Sequence, residues 1–183
     1  MKHFIKKLWH FIWHENSILS WIINIILAFI IVKFLIYPGL GFLLSTSHPL
    51  VAVVSGSMEH SNLNFDKWWE TKKEFYIKYN ITKEQFKNFP FKNGFNKGDI
   101  MVLIGAKNKI NKGDVIVYNG NYRDPIIHRV IAINKDSYIT KGDKNPTTDP
   151  IKPTPTSIVG KAVFKVPLLG WVKIIFTKII GGF

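Results

Sequence analysis

The chain contains no cysteine. Disulfide frameworks, thiolate zinc sites and cysteine nucleophiles are thereby excluded, whatever the compartment. Arginine is nearly absent as well, with Arg123 and Arg129 the only examples. Direct base readout leans on arginine, and the lysines are spread over the whole chain rather than gathered into one stripe, so no nucleic-acid partner is expected. Acidic residues number 12 against 25 basic ones, leaving a formal charge of +13. That balance suits lipid headgroups or a solvated surface. Histidines are few, six in all, and three of them (His3, His10 and His14) precede the first long apolar run.

What the chain does have is apolar surface, 46% of its 183 residues, concentrated at the two ends. Segment 1–17 carries Lys2, Lys6 and Lys7 among Phe4, Ile5, Leu8, Trp9, Phe11, Ile12 and Trp13 at helical spacing. This predicts an amphipathic cytoplasmic helix at the membrane interface, with Trp9 and Trp13 at headgroup level. Segment 18–37 is an apolar run long enough to cross a bilayer as a helix. Ser20, Asn24 and Lys33 interrupt it, and Pro38-Gly39 is expected to end it. The run continues into Tyr37-Pro38-Gly39-Leu40 rather than into small residues at a cleavage point, so an uncleaved anchor is expected. The lysines ahead of it put the N-terminus in the cytoplasm and the chain after Pro38 outside. Segment 167–183 is apolar again, with Lys173 and Lys178, and reads equally as an interfacial helix or a second crossing.

Between the ends lies an expected extracytoplasmic domain, 41–166. Pro49–Val54, Asp99–Ile104, Val115–Tyr118, Ile126–Ile133, Tyr138–Thr140 and Ile158–Val166 are β-branched or apolar runs divided by turn-rich stretches. Such spacing predicts a small, mainly β domain. Residues 62–96 break the pattern with aromatic residues among lysines and glutamates. They read as a partly helical insertion, with helices near Lys67–Tyr79 and Thr82–Asn88, lying on the domain or on the membrane surface. Lys-Gly-Asp recurs at Lys97–Asp99, Lys112–Asp114 and Lys141–Asp143, and each can be a plain turn before a strand.

The chemistry centres on Val51-Ala52-Val53-Val54-Ser55-Gly56-Ser57-Met58-Glu59. An apolar strand breaking into a glycine turn holds one side chain, Ser57, at its end. On turn statistics alone Ser57 is a turn hydroxyl. A serine peptidase needs a base and a group that orients it. His128 lies in the strand Pro125–Ile131, where an isolated histidine is usually just packed. Downstream, Thr140–Pro150 offers Asp143 and Asp149 in a turn-rich loop.

These segments resemble the type I signal peptidases. Ser55–Glu59 looks like the nucleophile box, Lys97–Val102 and Gly113–Tyr118 like the two Gly-Asp strand boxes, Ile127–Val130 like the box of the general base, and Thr140–Asn145 with Asp149 like the last box. They occur in the family's order behind an anchor and span residues 50–166. Histidine at 128, where the bacterial branch has lysine, points to the archaeal and endoplasmic-reticulum branch, and an archaeal single-subunit enzyme is the expectation. The resemblance implies Ser57 as nucleophile, His128 as base, Asp149 as its first-choice orienting acid and Asp143 as a close partner. It implies the Ser57 N–H as an oxyanion donor; Ser55 is either a second donor or a turn hydroxyl. No cofactor or metal is implied. The expected partners are signal-peptide-bearing preproteins, the lipid bilayer and, as a further candidate, the protein translocation channel, at the cell membrane. Two departures stand out: His60 where the family usually has proline, and the 62–96 insertion. His60 is also a rival base, disfavoured because a residue three positions away in a turn struggles to face Ser57. A catalytically silent anchored β-domain binding peptide or lipid, and a hydrolase acting on itself, are the competing functions.

Overall fold

The computed structural model describes residues 2–105, 110–120 and 124–180; Met1 and the last three residues of the 167–183 segment lie outside that range. It divides into two units, 1–43 and 44–183.

In the first unit, helix α1 (Lys2–His14) is followed by a continuous helical run, α2 (Ile18–Ile31), a π-helical stretch (Val32–Ile36) and α3 (Tyr37–Leu43). Ser17 caps α2 by accepting from the Ser20 N–H. Two of the polar interruptions reach back to α1: the Ser20 hydroxyl donates to the Phe11 carbonyl (2.9 Å) and the Asn24 Nδ2 to that of Ile12 (3.0 Å). Those carbonyls belong to the last turn of α1, where no helical donor remains to satisfy them. The helix does not stop at Pro38, as the sequence suggested, but runs from Ile18 to Leu43. Proline brings no N–H, so a carbonyl one turn earlier loses its donor. The wide turn just ahead of it, with the Tyr37 N–H reaching back to the Val32 carbonyl, lets the helix pass the proline.

The second unit is built on one antiparallel sheet of six strands in the order β1-β2-β6-β3-β4-β5. The strands are β1 (Leu50–Ala52), β2 (Ile100–Ile104), β3 (Val115–Tyr118), β4 (Ile126–Ile133), β5 (Tyr138–Lys141) and β6 (Ile158–Val166). Mainly β architecture with flanking helices is therefore present. The core under the sheet gathers Val53, Met58, Phe95, Met101, Leu103, Val115, Val117 and Ile127. Met58, directly after Ser57, is fully buried there. Burial of that one side chain tethers the turn on its C-terminal side.

The insertion folds as α4 (Phe65–Lys78), capped by Asn64, and α5 (Lys83–Lys87), opened by a Thr82–Gln85 capping box. Its rings do not face outward. Trp68, Trp69, Tyr76, Ile81 and Phe86 form a second core against Ile131 of β4, with Ile139 of β5 at its margin. The insertion is thus packed on the strands that carry His128 and the Thr140–Asp143 segment. At the other end of the unit, helix α6 (Gly170–Ile180) is fastened to the turn before β2: the Gly170 N–H donates to the Gly98 carbonyl (2.8 Å), and the Leu168 N–H to Asp99 (3.2 Å). The Trp171 ring lies against Gly98, whose φ of +92° and missing Cβ the contact requires.

Candidate active site

Three elements bring the site together. The chain leaves β1 with the Val53 N–H on the Asp99 carbonyl (2.9 Å), then turns through Ser55–Met58. The Ser57 carbonyl accepts from the Lys144 N–H (2.8 Å), so the turn after β5 holds the nucleophile segment from the other side. His128 sits in mid-strand on β4, opposite Ile116 of β3. Asp149 is folded back by its N–H on the Thr140 carbonyl (2.8 Å).

Ser57 Oγ lies 2.9 Å from His128 Nε2, and His128 Nδ1 lies 2.7 Å from Asp149 Oδ2. A carboxylate only accepts, so Nδ1 carries the ring proton and Nε2 presents its lone pair to the Ser57 hydroxyl. Asp149 Oδ2 also accepts from Thr140 Oγ1 (2.7 Å) and Tyr118 Oη (2.9 Å). Burial alone would raise the Asp149 pKa; its bond and charge interaction with His128, with the two hydroxyl bonds, bring it below the ordinary carboxylate value. Ser55 Oγ is exposed, 3.2 Å from Ser57 Oγ. The dyad opens on a cleft of about 510 Å³ walled by Val51, Ala52, Val54, Ile126, Ile127 and Ile151. A hydroxyl, a neutral imidazole of fixed tautomer and a buried carboxylate in that order can move a proton from serine to a leaving group, which is acyl-transfer chemistry.

The chain is 25% identical over 159 residues to the signal peptidase complex catalytic subunit SEC11 of Yarrowia lipolytica, covering 80% of this chain and 73% of the relative. It is 27% identical over 158 residues to SEC11 of Scheffersomyces stipitis, covering 79% and 75%. The chain is thus similar to signal peptidase catalytic subunits over most of its length. No protein-family model matches it.

In this chain the two aspartates of the last box part company. Asp143 does not meet His128. It lies fully buried, with Arg129 Nε on Oδ1 (2.9 Å) and Arg129 Nη2 on Oδ2 (2.8 Å). Tyr76 Oη donates to Oδ1 (3.0 Å), and His60 Nε2 to Oδ2 (3.1 Å). Arg129 spends its remaining N–H groups on the carbonyls of Pro90, Gly113 and Phe91. The ion pair is therefore saturated with hydrogen bonds, the condition under which a buried pair is tolerable. His60 is not a rival base. Its ring is stacked flat on Trp68 at 3.7 Å and faces Asp143, away from Ser57. Where the family pattern led us to expect proline, the chain has a donor that, together with Tyr76, links Asp143 to the insertion.

Burial works against the Asp143 carboxylate, but the Arg129 charge and the bonds from Arg129 and His60 hold its pKa well below the ordinary range. A carboxyl depressed in the folded state contributes stability above its unfolded pKa and loses it as the pH falls. The urea midpoint should therefore stay roughly level from neutral pH down to the ordinary carboxylate value near 3.8, then drop. In Asp143→Asn the midpoint is lower at neutral pH, and its gap to the parent protein narrows on acidification. A gap independent of pH would contradict the assignment.

Several residues of the site had no individual signal in the sequence. Tyr118 and Thr140 end ordinary strands. Lys141 is buried with its Nζ on the carbonyls of Gly142 (2.9 Å) and Asp143 (3.2 Å) and over the Phe75 and Tyr76 rings, where burial draws its pKa down to about 8. Gly142 was readable only as part of the Thr140–Asn145 box. A Cβ there would lie 2.8 Å from the Ser57 carbonyl oxygen and 2.9 Å from both His128 Nε2 and Asn145 Nδ2.

Proposed function

We propose that this protein is a membrane-bound serine endopeptidase that removes signal peptides from secreted and membrane preproteins. The Ser57–His128–Asp149 chain of hydrogen bonds at the floor of an apolar cleft carries this reading. Ser57 Oγ attacks the scissile carbonyl as His128 Nε2 takes its proton. His128 then gives that proton to the leaving amine, and water enters by the same route to release the acyl group. Asp149 holds the imidazole and stabilises its cation. The Ser57 N–H meets the developing oxyanion, with Ser55 Oγ as a second donor. Asp143 acts as a positioning residue through the turn that binds the Ser57 carbonyl.

The substrate is an extended segment laid beside β1, the edge strand, whose residues line the cleft. Its aliphatic walls suit the small residues that precede a signal-peptide cleavage point. Ile18–Leu43 is the one candidate membrane span among the described residues and anchors the enzyme in the cell membrane, with 1–17 cytoplasmic and the β domain outside. The tether confines enzyme and substrate to one bilayer, which raises their effective concentration. Segment 167–183 associates with the same membrane: Trp171, Val172, Ile175, Phe176 and Ile179 are exposed beside Lys173 and Lys178. The enzyme works as a single chain of the archaeal type, close to the translocation channel.

The purified full chain in lipid vesicles should convert a secretory preprotein to its mature form, with N-terminal sequencing locating the cut directly after a small residue. An intact preprotein after prolonged incubation would overturn the proposal.

A further inference from the structure

Asn145 has a half-buried carboxamide in the wall of the cleft beside Ser57 and His128. Its backbone is firmly held: its own N–H donates to the Gly142 carbonyl (2.9 Å), and the preceding Lys144 N–H to that of Ser57 (2.8 Å). Its side chain has no hydrogen-bond partner among the described residues, whereas His128 and Asp149, which line the same cleft, use theirs. A partly exposed amide with no protein partner, on a hydrogen-bonded turn in the cleft wall, is free to bond a ligand there. Its direction is also given. Asn145 Nδ2 and His128 Nε2 both lie 2.9 Å from the point where a Gly142 Cβ would stand, so the two nitrogens are close neighbours.

His128 Nε2 is the atom that protonates the leaving amine. A donor beside that atom stands near the group that departs. Asn145 also borders a second hollow, formed with Pro146, Lys141 and Thr71, Lys72 and Phe75 of α4, so it lies between the cleft and the insertion. We propose that Asn145 is a substrate-binding residue that donates from Nδ2 to the main-chain carbonyl of the residue just after the scissile bond, steering the mature end of the substrate into this hollow. The assignment rests on the peptidase reading above.

The test compares two substrates: a signal-peptide-derived peptide extending several residues beyond the scissile bond, and a peptidyl aryl ester that ends at that bond. Loss of one substrate hydrogen bond in Asn145→Ala should lower kcat/KM on the extended peptide by about tenfold. The loss on the ester should be smaller by a similar factor. Asn145→Asp, which keeps the shape but no longer donates, should behave like the alanine variant on the extended peptide. Equal losses on both substrates would mean a structural role and overturn the assignment, as would undiminished cleavage of the extended peptide or full activity in Asn145→Asp. Failure of the parent enzyme to cleave either substrate would overturn the peptidase reading, and this assignment with it.

Discussion

Ser57→Ala is expected to lower kcat on a preprotein about a million-fold, and His128→Ala to cost about the same. The two side chains act as one device: Nε2 at 2.9 Å has no proton to accept without the hydroxyl, and the hydroxyl is a weak nucleophile without Nε2. Their effects should therefore not add, and the double variant should be no slower than either single one, as happens in serine hydrolases whose nucleophile and base function as a unit. Asp149→Asn should cost less, about ten-thousand-fold, because the amide leaves the ring in place but favours the wrong tautomer. Thr140 and Tyr118 would still bond the residue at 149, so this variant should fold normally. Single-turnover processing in vesicles, followed on gels, measures all four variants. A silent peptide-binding domain predicts no change in any of them. Measurable cleavage by His128→Ala would remove His128 from the role of base.

The second large effect concerns a residue with no functional group. Gly142→Ala is expected to reduce kcat by about a hundredfold or more with little loss of stability. The backbone is not at fault, since Gly142 is not among the residues of positive φ. The added methyl is. It would lie at 2.8 Å from the Ser57 carbonyl oxygen and 2.9 Å from His128 Nε2, inside the distances real Cβ atoms adopt. Asn145 can swing aside, but the other two cannot move freely. The Ser57 carbonyl is bound by the Lys144 N–H, and His128 by Asp149. Relief must come by displacing the imidazole or the nucleophile segment, and a misplacement of about 1 Å can cost on the order of a hundredfold. Parallel measurement of kcat and the thermal midpoint tests this. Activity within a few-fold of the parent would show that the site absorbs the methyl.

Much was legible before any coordinates. An apolar run without charges until Lys33 reads as a helix long enough to cross a bilayer, where a helix pairs each backbone group within the segment. β-Branched and apolar runs between turn-rich stretches located the strands; β3, β4 and β6 run over the expected residues, and the others differ only at their ends. Ser57 and His128 were each visible in their local setting, as a serine closing a strand and a histidine within one.

What sequence could not supply was which distant groups meet. The three Lys-Gly-Asp tripeptides make this plain. At Asn96–Asp99 and Asn111–Asp114 they form the same turn, with the aspartate side chain accepting from the asparagine N–H (3.0 and 2.8 Å) and glycine at positive φ. At Lys141–Asp143 the same letters end a strand, bury the lysine, press the glycine against Ser57 and His128, and pair the aspartate with Arg129. Local propensity is identical in all three; burial and the available partners are not. The same holds for Asp143 and Asp149, six positions apart in one loop: only the folding of that loop over β4 sends one to His128 and the other to Arg129. His60 and the insertion belong to this second class too. The aromatic residues of 62–96 announced an apolar face but not its target, because hydrophobic burial has no direction of its own. The packed sheet supplied that target, and with it the link from Tyr76 and Trp68, through His60 and Asp143, to the turn that holds Ser57.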